Sequence, residues 1–328
     1  VAVERIAFGD RPDAPLIVRP GDPARRRWLA AVVLGARGDY AAAAELLDHL
    51  YRDRRTPTAV RAHAAVTRAA HLRQLGGHAE ARRWDGLGLA LATTAASPAP
   101  ASPAPANLAD PERLGLDLAA AGVDALLGLA ADAIGLADTG LAQRLLGRAR
   151  AAALKHPSWR PAVRWHWVRA ELALSTGRPD QAEPAARHAL AAATEARAVR
   201  HEIKSTLVLS VAHAGTGRPV DELVDTLDTL AGRTRRARLA SLEWPIQLLI
   251  ADLIGGVDLA RSGGCRRRGV HVLACIRRRT DPRGRRAFDR SPWVPAISGP
   301  PLLHSEVNHP PGTCRSAHSS RMECKNRP

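Results

Sequence analysis

Lysine is nearly absent from this chain: of its 48 Lys and Arg residues only Lys155, Lys204 and Lys325 are lysines. Aromatic residues amount to 3%, and asparagine occurs only at 107, 308 and 326. With so few aromatic groups the apolar mass is small and helix-favouring, alanine and leucine above all, which disfavours a β-sheet core and points to closely packed helices. A bias toward Ala, Arg, Gly and Pro is also what a GC-rich genome imposes, so part of the composition is genomic in origin. Hydrophobic residues still reach 45% of 328 positions, enough for one or two ordinary domains with a real core.

No cysteine stands before Cys265; Cys265, Cys275, Cys314 and Cys324 all fall in the last quarter. A body without cysteine has no disulfide framework, which fits a cytoplasmic protein. No secretory signal is expected in Val1 to Asp10 either, because that stretch carries Glu4, Arg5 and Asp10 and offers no apolar run. The most apolar stretch, Leu248 to Val257, is short and contains Asp252, so no membrane span is expected.

The chemistry of an enzyme is missing as well. There is no Walker-type phosphate loop, no G-x-G-x-x-G turn, no G-x-S-x-G elbow and no H-E-x-x-H helix. Cys265 and Cys275 have nine residues between them, as do Cys314 and Cys324, with His271, His304, His309 and His318 nearby. Structural zinc sites pair ligands across about two to four residues, so this spacing fits no compact knuckle. The sequence therefore predicts neither catalysis, nor a cofactor, nor a metal.

The charge of +16 is unevenly placed, since residues 256–328 hold 15 Lys/Arg against 5 Asp/Glu. Such a tail could neutralise phosphates, yet it lacks interleaved aromatics and a groove-reading helix, which disfavours specific nucleic-acid binding.

What the chain does have is periodicity. Short turns recur at Gly38-Asp39-Tyr40, Gly76-Gly77-His78, Gly140-Leu141, Gly177-Arg178-Pro179 and Gly217-Arg218-Pro219, with first glycines 38, 64, 37 and 40 residues apart. The long interval contains the segment 93–110, whose prolines at 98, 100, 103 and 105 exclude a helix. Seven residues before the glycines stand Ala31, Ala69, Ala133, Ala170 and Ser210, all small enough for a neighbouring helix to cross closely. Ten before them are Trp28, Val66, Ala130, Trp167 and Leu207; five after come Ala43, Ala81, Leu145, Ala182 and Glu222.

This pattern resembles the tetratricopeptide family, in whose two-helix unit a small residue in the first helix, Gly-x-Tyr at the turn and Ala in the second helix recur. Gly38-Asp39-Tyr40 followed by Ala43 matches closely. Elsewhere Tyr40 is replaced by His78, Ala142, Pro179 and Pro219, and the period is 37 to 40 residues where the family has about 34. The resemblance, over residues 23–232, implies an all-α, right-handed α-solenoid of antiparallel helix pairs.

Local signals agree. Asp22-Pro23 and Asp110-Pro111-Glu112 pair an N-cap acceptor with a proline at the first helical position. Val163, Trp167, Ala170 and Leu174 share one face, as do Leu223, Leu227 and Leu230. The expected organisation is an N-terminal extension (1–22), repeats one and two (23–92), a Pro/Ala-rich linker (93–110), repeats three to five with the start of a sixth (111–256), and a basic, Pro/Cys-rich, largely irregular tail (257–328). Pro245 should kink the sixth unit or start a new helix after Trp244. Only Val270 to Ile276 and Arg283 to Phe288 look helical in the tail, and from Ser298 onward disorder is expected.

Thirteen residues before the turn glycines lie Arg25, His63, Leu127, Arg164 and Lys204. The resemblance implies that this first-helix position faces a concave groove, with Arg73 and Glu171 as neighbours. The groove would then be lined with positive charge and suit an acidic partner, a protein or peptide. The scarcity of asparagine departs from the family's carboxylate-clamp subtype. The function expected is a non-catalytic protein-interaction scaffold; the alternative is a regulatory repeat module whose Arg-rich tail contacts nucleic acid. Trp28 and Trp167 are expected in the packing between repeats, because the Trp165-His166-Trp167 side chains, about 100° apart on a helix, cannot form one wall.

Overall fold

Seven helix ends close with the same hydrogen bond. In each, one residue takes a left-handed backbone: Gly38, Gly76, Ala137, Gly177, Arg197, Gly217 or Arg238. The following N–H donates to the carbonyl five residues back, from Asp39 to Leu34, Gly77 to Leu72, Asp138 to Ala133, Arg178 to Ala173, Ala198 to Ala193, Arg218 to His213 and Leu239 to Thr234, at 2.8–3.1 Å. This satisfies a helix-end carbonyl and reverses the chain within three residues.

The computed structural model describes residues 1–94 and 114–291, among which the regular elements are fourteen α-helices. A short α1 (Val3–Phe8) precedes six pairs: α2 (Ala24–Ala36) with α3 (Tyr40–Arg52), α4 (Thr58–Gln74) with α5 (His78–Thr94), and α6 (Leu118–Gly135) with α7 (Thr139–Lys155). There follow α8 (Trp159–Ser175) with α9 (Pro179–Glu195), α10 (Val199–Gly215) with α11 (Val220–Arg236), α12 (Ala240–Leu253) with α13 (Leu259–Arg278), and then α14 (Pro282–Arg290).

The third turn is centred on Ala137, not on Gly140, which lies in the first turn of α7. Alanine accepts the left-handed backbone at a cost of about 1–2 kcal/mol, so glycine alone could not mark it. Re-registering the third unit puts Ala130 seven residues before the turn and Ala142 five after. Ala31, Ala69, Ala130 and Ala170, and on the second helices Ala43, Ala81, Ala142 and Ala182, are then all fully buried. Thirteen residues before the turn stands Asp124, not Leu127.

Three further expectations change. Asp22 does not cap α2; its carboxylate accepts from the Arg19 N–H at 2.8 Å and pairs with Arg26. Pro245 lies inside α12 rather than beginning a helix, in the second turn, where its missing N–H forgoes a single bond. Residues 259–278 and 282–290 are helical, well beyond the 270–276 and 283–288 expected within a largely irregular tail. Gly263, Gly264 and the arginine runs lower helix propensity there, but packing overrides it: Leu273 and Ile276 are buried, and Gly269 lies against Leu248. The proline-rich segment 95–110, the Asp110-Pro111 start signal and residues 292–328 lie outside the described residues.

Each first helix of a pair touches the next, from α2 through α4, α6, α8 and α10 to α12, and α12 touches α2. The first helices thus form a closed inner ring. Its closure is reinforced by α13 and α14. The Ala41 N–H donates to the Arg279 carbonyl at 2.8 Å, and Arg279–Asp39 (3.3 Å), Arg68–Asp281 (2.7 Å) and Arg283–Glu80 (3.6 Å) are ion pairs. From the other end, α1 lies on α2 and α10, and the Val199 N–H donates to the Gly9 carbonyl at 3.2 Å. Among the described residues it is α6, not 248–257, that is long and apolar enough by length and composition to cross a membrane, but it packs on α4, α5, α7 and α8 and carries Asp124 and Asp132.

Closure makes the first turn sensitive to volume. A Cβ on Gly38, at φ +83°, would come 2.8 Å from Ile276 Cγ1, whereas one on Gly177, at φ +69°, would meet nothing within 4 Å. Both alanine substitutions carry the left-handed cost of about 1–2 kcal/mol. Gly38→Ala should lose about 1–3 kcal/mol more than Gly177→Ala in urea unfolding, because it overpacks the contact between first and sixth pairs. Equal losses would show that this contact is not made.

Candidate functional site

Among the described residues the inner ring carries most of the buried polar side chains. At its floor lies an aromatic cluster. Phe8 of α1 packs against Trp28 and His201, with ring centroids 6.0 Å apart in each case, and Trp28 against His63 at 4.7 Å. Trp167 stacks on His201 at 5.2 Å and donates its indole N–H to Ser205 Oγ at 2.9 Å; Trp28 donates to Thr67 Oγ1 at 2.8 Å. Both tryptophans are core. Trp165 is buried on another side, donating to the Leu146 carbonyl, while His166 stacks on His188.

Above this floor the charged groups are matched. Asp124 receives both Arg160 (3.0 Å) and Arg164 (2.9 Å), two residues one turn apart on α8. Arg73 reaches Asp132 at 2.7 Å and also pairs with Asp85. Burial opposes the charge on Arg73, but these two carboxylates hold it charged, and Arg73 is raised above its ordinary value. Burial pushes the Asp85 carboxyl well above the usual carboxylate range, against the pull of Arg73 and with the help of Asp132. A guanidinium held between two enclosed carboxylates is a structural brace.

The six residues expected to line a groove fare differently. Arg25 pairs with Glu4 of α1 at 3.5 Å, and its side chain is 30% exposed. Lys204 pairs with Glu171 at 3.2 Å, both 34% exposed, and its ammonium lies 4.5 Å over the Trp167 ring. Arg164 keeps 20% exposure beside Asp124. These four stay within solvent reach. His63 and Arg73 are engaged within the fold: His63 is buried with Nε2 2.9 Å from the Asp117 carbonyl, and Arg73 is committed to its brace. The wide third interval misled the register there, hiding the acidic member Asp124 that neutralises Arg164.

Arg160 and Arg200 were missed. Each lies seventeen residues before its turn residue, Gly177 or Gly217, hence one helical turn before Arg164 or Lys204. The i, i+4 recurrence of basic residues in repeats four and five was the available signal.

These inner-ring contacts lie in the packed array described above. The fold is a tetratricopeptide-like helical repeat. It is similar to that of a Rap protein complexed with competence and sporulation factor, with a TM-score of 0.57 and 12% identity, over 78% of this chain and 69% of that one. At such low identity the likeness is one of fold. No family model matches the sequence, and no curated protein matches it.

Burial holds His63 down at about 4 and His71 at about 3, so both fold uncharged. The unfolded chain binds protons near 6.5 and the folded one does not, so stability is intact above that value and lost as pH falls toward 4. Between pH 6.5 and 4.5 each histidine should cost about 2–3 kcal/mol. Urea unfolding of His63→Gln should show a correspondingly shallower loss; an unchanged pH dependence would contradict the enclosed, neutral imidazole. Separately, Arg73→Met should cost about 3–5 kcal/mol by stranding Asp85 and Asp132, whereas a loss below about 1 kcal/mol would deny the brace.

Proposed function

We propose that this chain is a non-catalytic cytoplasmic scaffold that binds a protein or peptide of acidic character on the inner face of its helical ring. The observation that carries this reading is the reachable charge on that face: Arg25, Arg164, Glu171 and Lys204 keep 20–34% side-chain exposure above an aromatic floor. Stacked repeats bury their apolar faces against one another and leave an inner surface for a partner, so binding requires neither cofactor nor metal. The similar Rap protein, complexed with competence and sporulation factor, supports the same kind of use. Residues Arg25, Arg164, Glu171 and Lys204 are assigned to the partner surface; His63 and Arg73 support it from beneath.

Two observations weigh against other readings. A depression of about 400 Å³ among α7, α8 and α9 is lined by Arg150, Arg169, Arg178 and Trp165 but by no carboxylate or histidine, so it offers no acid–base pair for catalysis. Five of the ten arginines of α13 and α14 make ion pairs within the chain, Arg261–Asp228, Arg266–Asp252, Arg268–Glu243, Arg277–Asp289 and Arg283–Glu80. Those pairs lower the net positive charge that these two helices offer to nucleic acid.

Lys204→Glu inverts a half-exposed charge without stranding a buried one. In affinity capture with the full chain it should lower recovery of co-purifying acidic proteins or peptides at least tenfold, with urea stability within about 1 kcal/mol of the parent. Equal recovery would reject the inner face as the partner surface.

A further inference from the structure

Arginines enclosed in this fold meet a carboxylate. Arg68 has Asp48 and Asp281, Arg73 has Asp85 and Asp132, and Arg160 and Arg164 share Asp124. Arg37, half-buried without an acid, donates to the Pro12 and Ala14 carbonyls instead. Arg200, at the first turn of α10, has neither kind of partner: among the described residues its guanidinium makes no hydrogen bond and no ion pair. It is half-buried, so solvent and small groups still reach it.

Its surroundings add to the excess. Arg200 and Lys204 sit one turn apart on α10, in the positions that Arg160 and Arg164 occupy on the adjacent inner helix α8. Asp124 is used twice, by Arg160 and Arg164, and Glu171 is used by Lys204. Four cations therefore face two carboxylates. Burial pushes the Arg200 guanidinium down to about 10; only the Tyr40 phenol opposes this, while Arg164 and Arg160 add to it. Holding a guanidinium in such a place without a counter-charge costs stability, a cost that a bound anion would offset.

We propose that Arg200, with Arg164 and Lys204 beside it, is an anchor for an oxyanion, the carboxylate or phosphate group of a partner bound on the inner face. This deepens the scaffold reading above and rests on it. The planar guanidinium offers two parallel N–H donors to two oxygens of one such group, and the Lys204 ammonium supplies a second point of attraction. Bulk salt screens the reachable charges of the face, so the anchor is distinguished by oxygen geometry rather than by ionic strength alone.

The test uses the full chain, with inorganic phosphate and an N-acetylated glutamate-rich hexapeptide as probes and chloride at equal ionic strength as the reference. At least one probe should raise the thermal midpoint and bind in calorimetry, since a ligand of the folded state stabilises it. Arg200→Gln should weaken that binding at least tenfold, while the exposed control Arg169→Gln leaves it unchanged. Without probe, Arg200→Gln should unfold at the parent's temperature or above, because it removes an uncompensated charge. Arg200→Lys, keeping the charge but not the fork, should bind with intermediate strength. A response to phosphate alone assigns a phosphate-bearing partner, and a response to the peptide alone a carboxylate-bearing one. No response in the parent, an equal response in Arg200→Gln, or a variant that unfolds markedly earlier without probe would each overturn the anchor. A protein partner held equally well by the parent and Arg200→Gln would sink the anchor yet leave the scaffold standing.

Discussion

The distance between neighbouring inner helices is the constraint on which this architecture depends. Two helices approach closely only where the side chains at the crossing are small, and here alanine supplies that place on both members of the first four pairs. Because alanine contributes little apolar area, each contact is weak, about 25 cal/mol for every Å² buried, and stability has to come from many of them in series. The large residues are rationed accordingly. Trp28, Leu127 and Trp167 stand three residues before the small ones, filling the space between successive inner helices.

Tight crossing in turn dictates the electrostatics. Six inner helices that close a ring leave little room for water, so the arginines on their inner faces could not be left solvated, and the acids Asp85, Asp124 and Asp132 occupy the interior to meet them. These carboxylates lie on α5 and α6, flanking the segment 95–113, whereas their arginine partners lie on α4 and α8. The ion pairs thereby tie the second, third and fourth repeats together across the widest interruption in the repeat pattern. Such pairs add little net stability, because desolvation offsets their attraction; their effect is to penalise any other register of these helices, in which one charge would be stranded.

The sequence made the repeat legible where glycine marks a turn and alanine a crossing, which is why the first, second and fourth units could be aligned from residues alone. It was less legible where another residue took the left-handed position. Ala137, Arg197 and Arg238 end helices with the same hydrogen bond as Gly38, but nothing in an Ala- and Arg-rich chain distinguishes them from helix interior. The error of three residues at Gly140 placed Leu127 where Asp124 belongs and thus removed the acidic half of the inner face from view. The full length of the helices of 259–290, of which only 270–276 and 283–288 were legible, was hidden for a different reason. Their local propensity is poor, and they exist because the first two pairs offer them a surface, through Asp39 and Ala41 of the first and Arg68 of the second, that is more than two hundred residues distant in sequence.

Ring closure also limits how a partner can meet the inner face. A short helix with four buried residues out of six, α1 sets Phe8 between Trp28 and His201, and the Arg160 guanidinium stacks over the Phe8 ring at 4.3 Å. That side of the aromatic floor is therefore already covered by the chain itself, and Arg160 is withdrawn from contact. Beside it Arg164, Glu171, Arg200 and Lys204, on α8 and α10, each keep part of their surface and form an edge that solvent reaches. A partner too large to enter the ring can still reach this edge with one extended side chain or chain end. The same enclosure that makes an unpaired guanidinium costly makes such a slender, oxygen-bearing group the one suited to reach it.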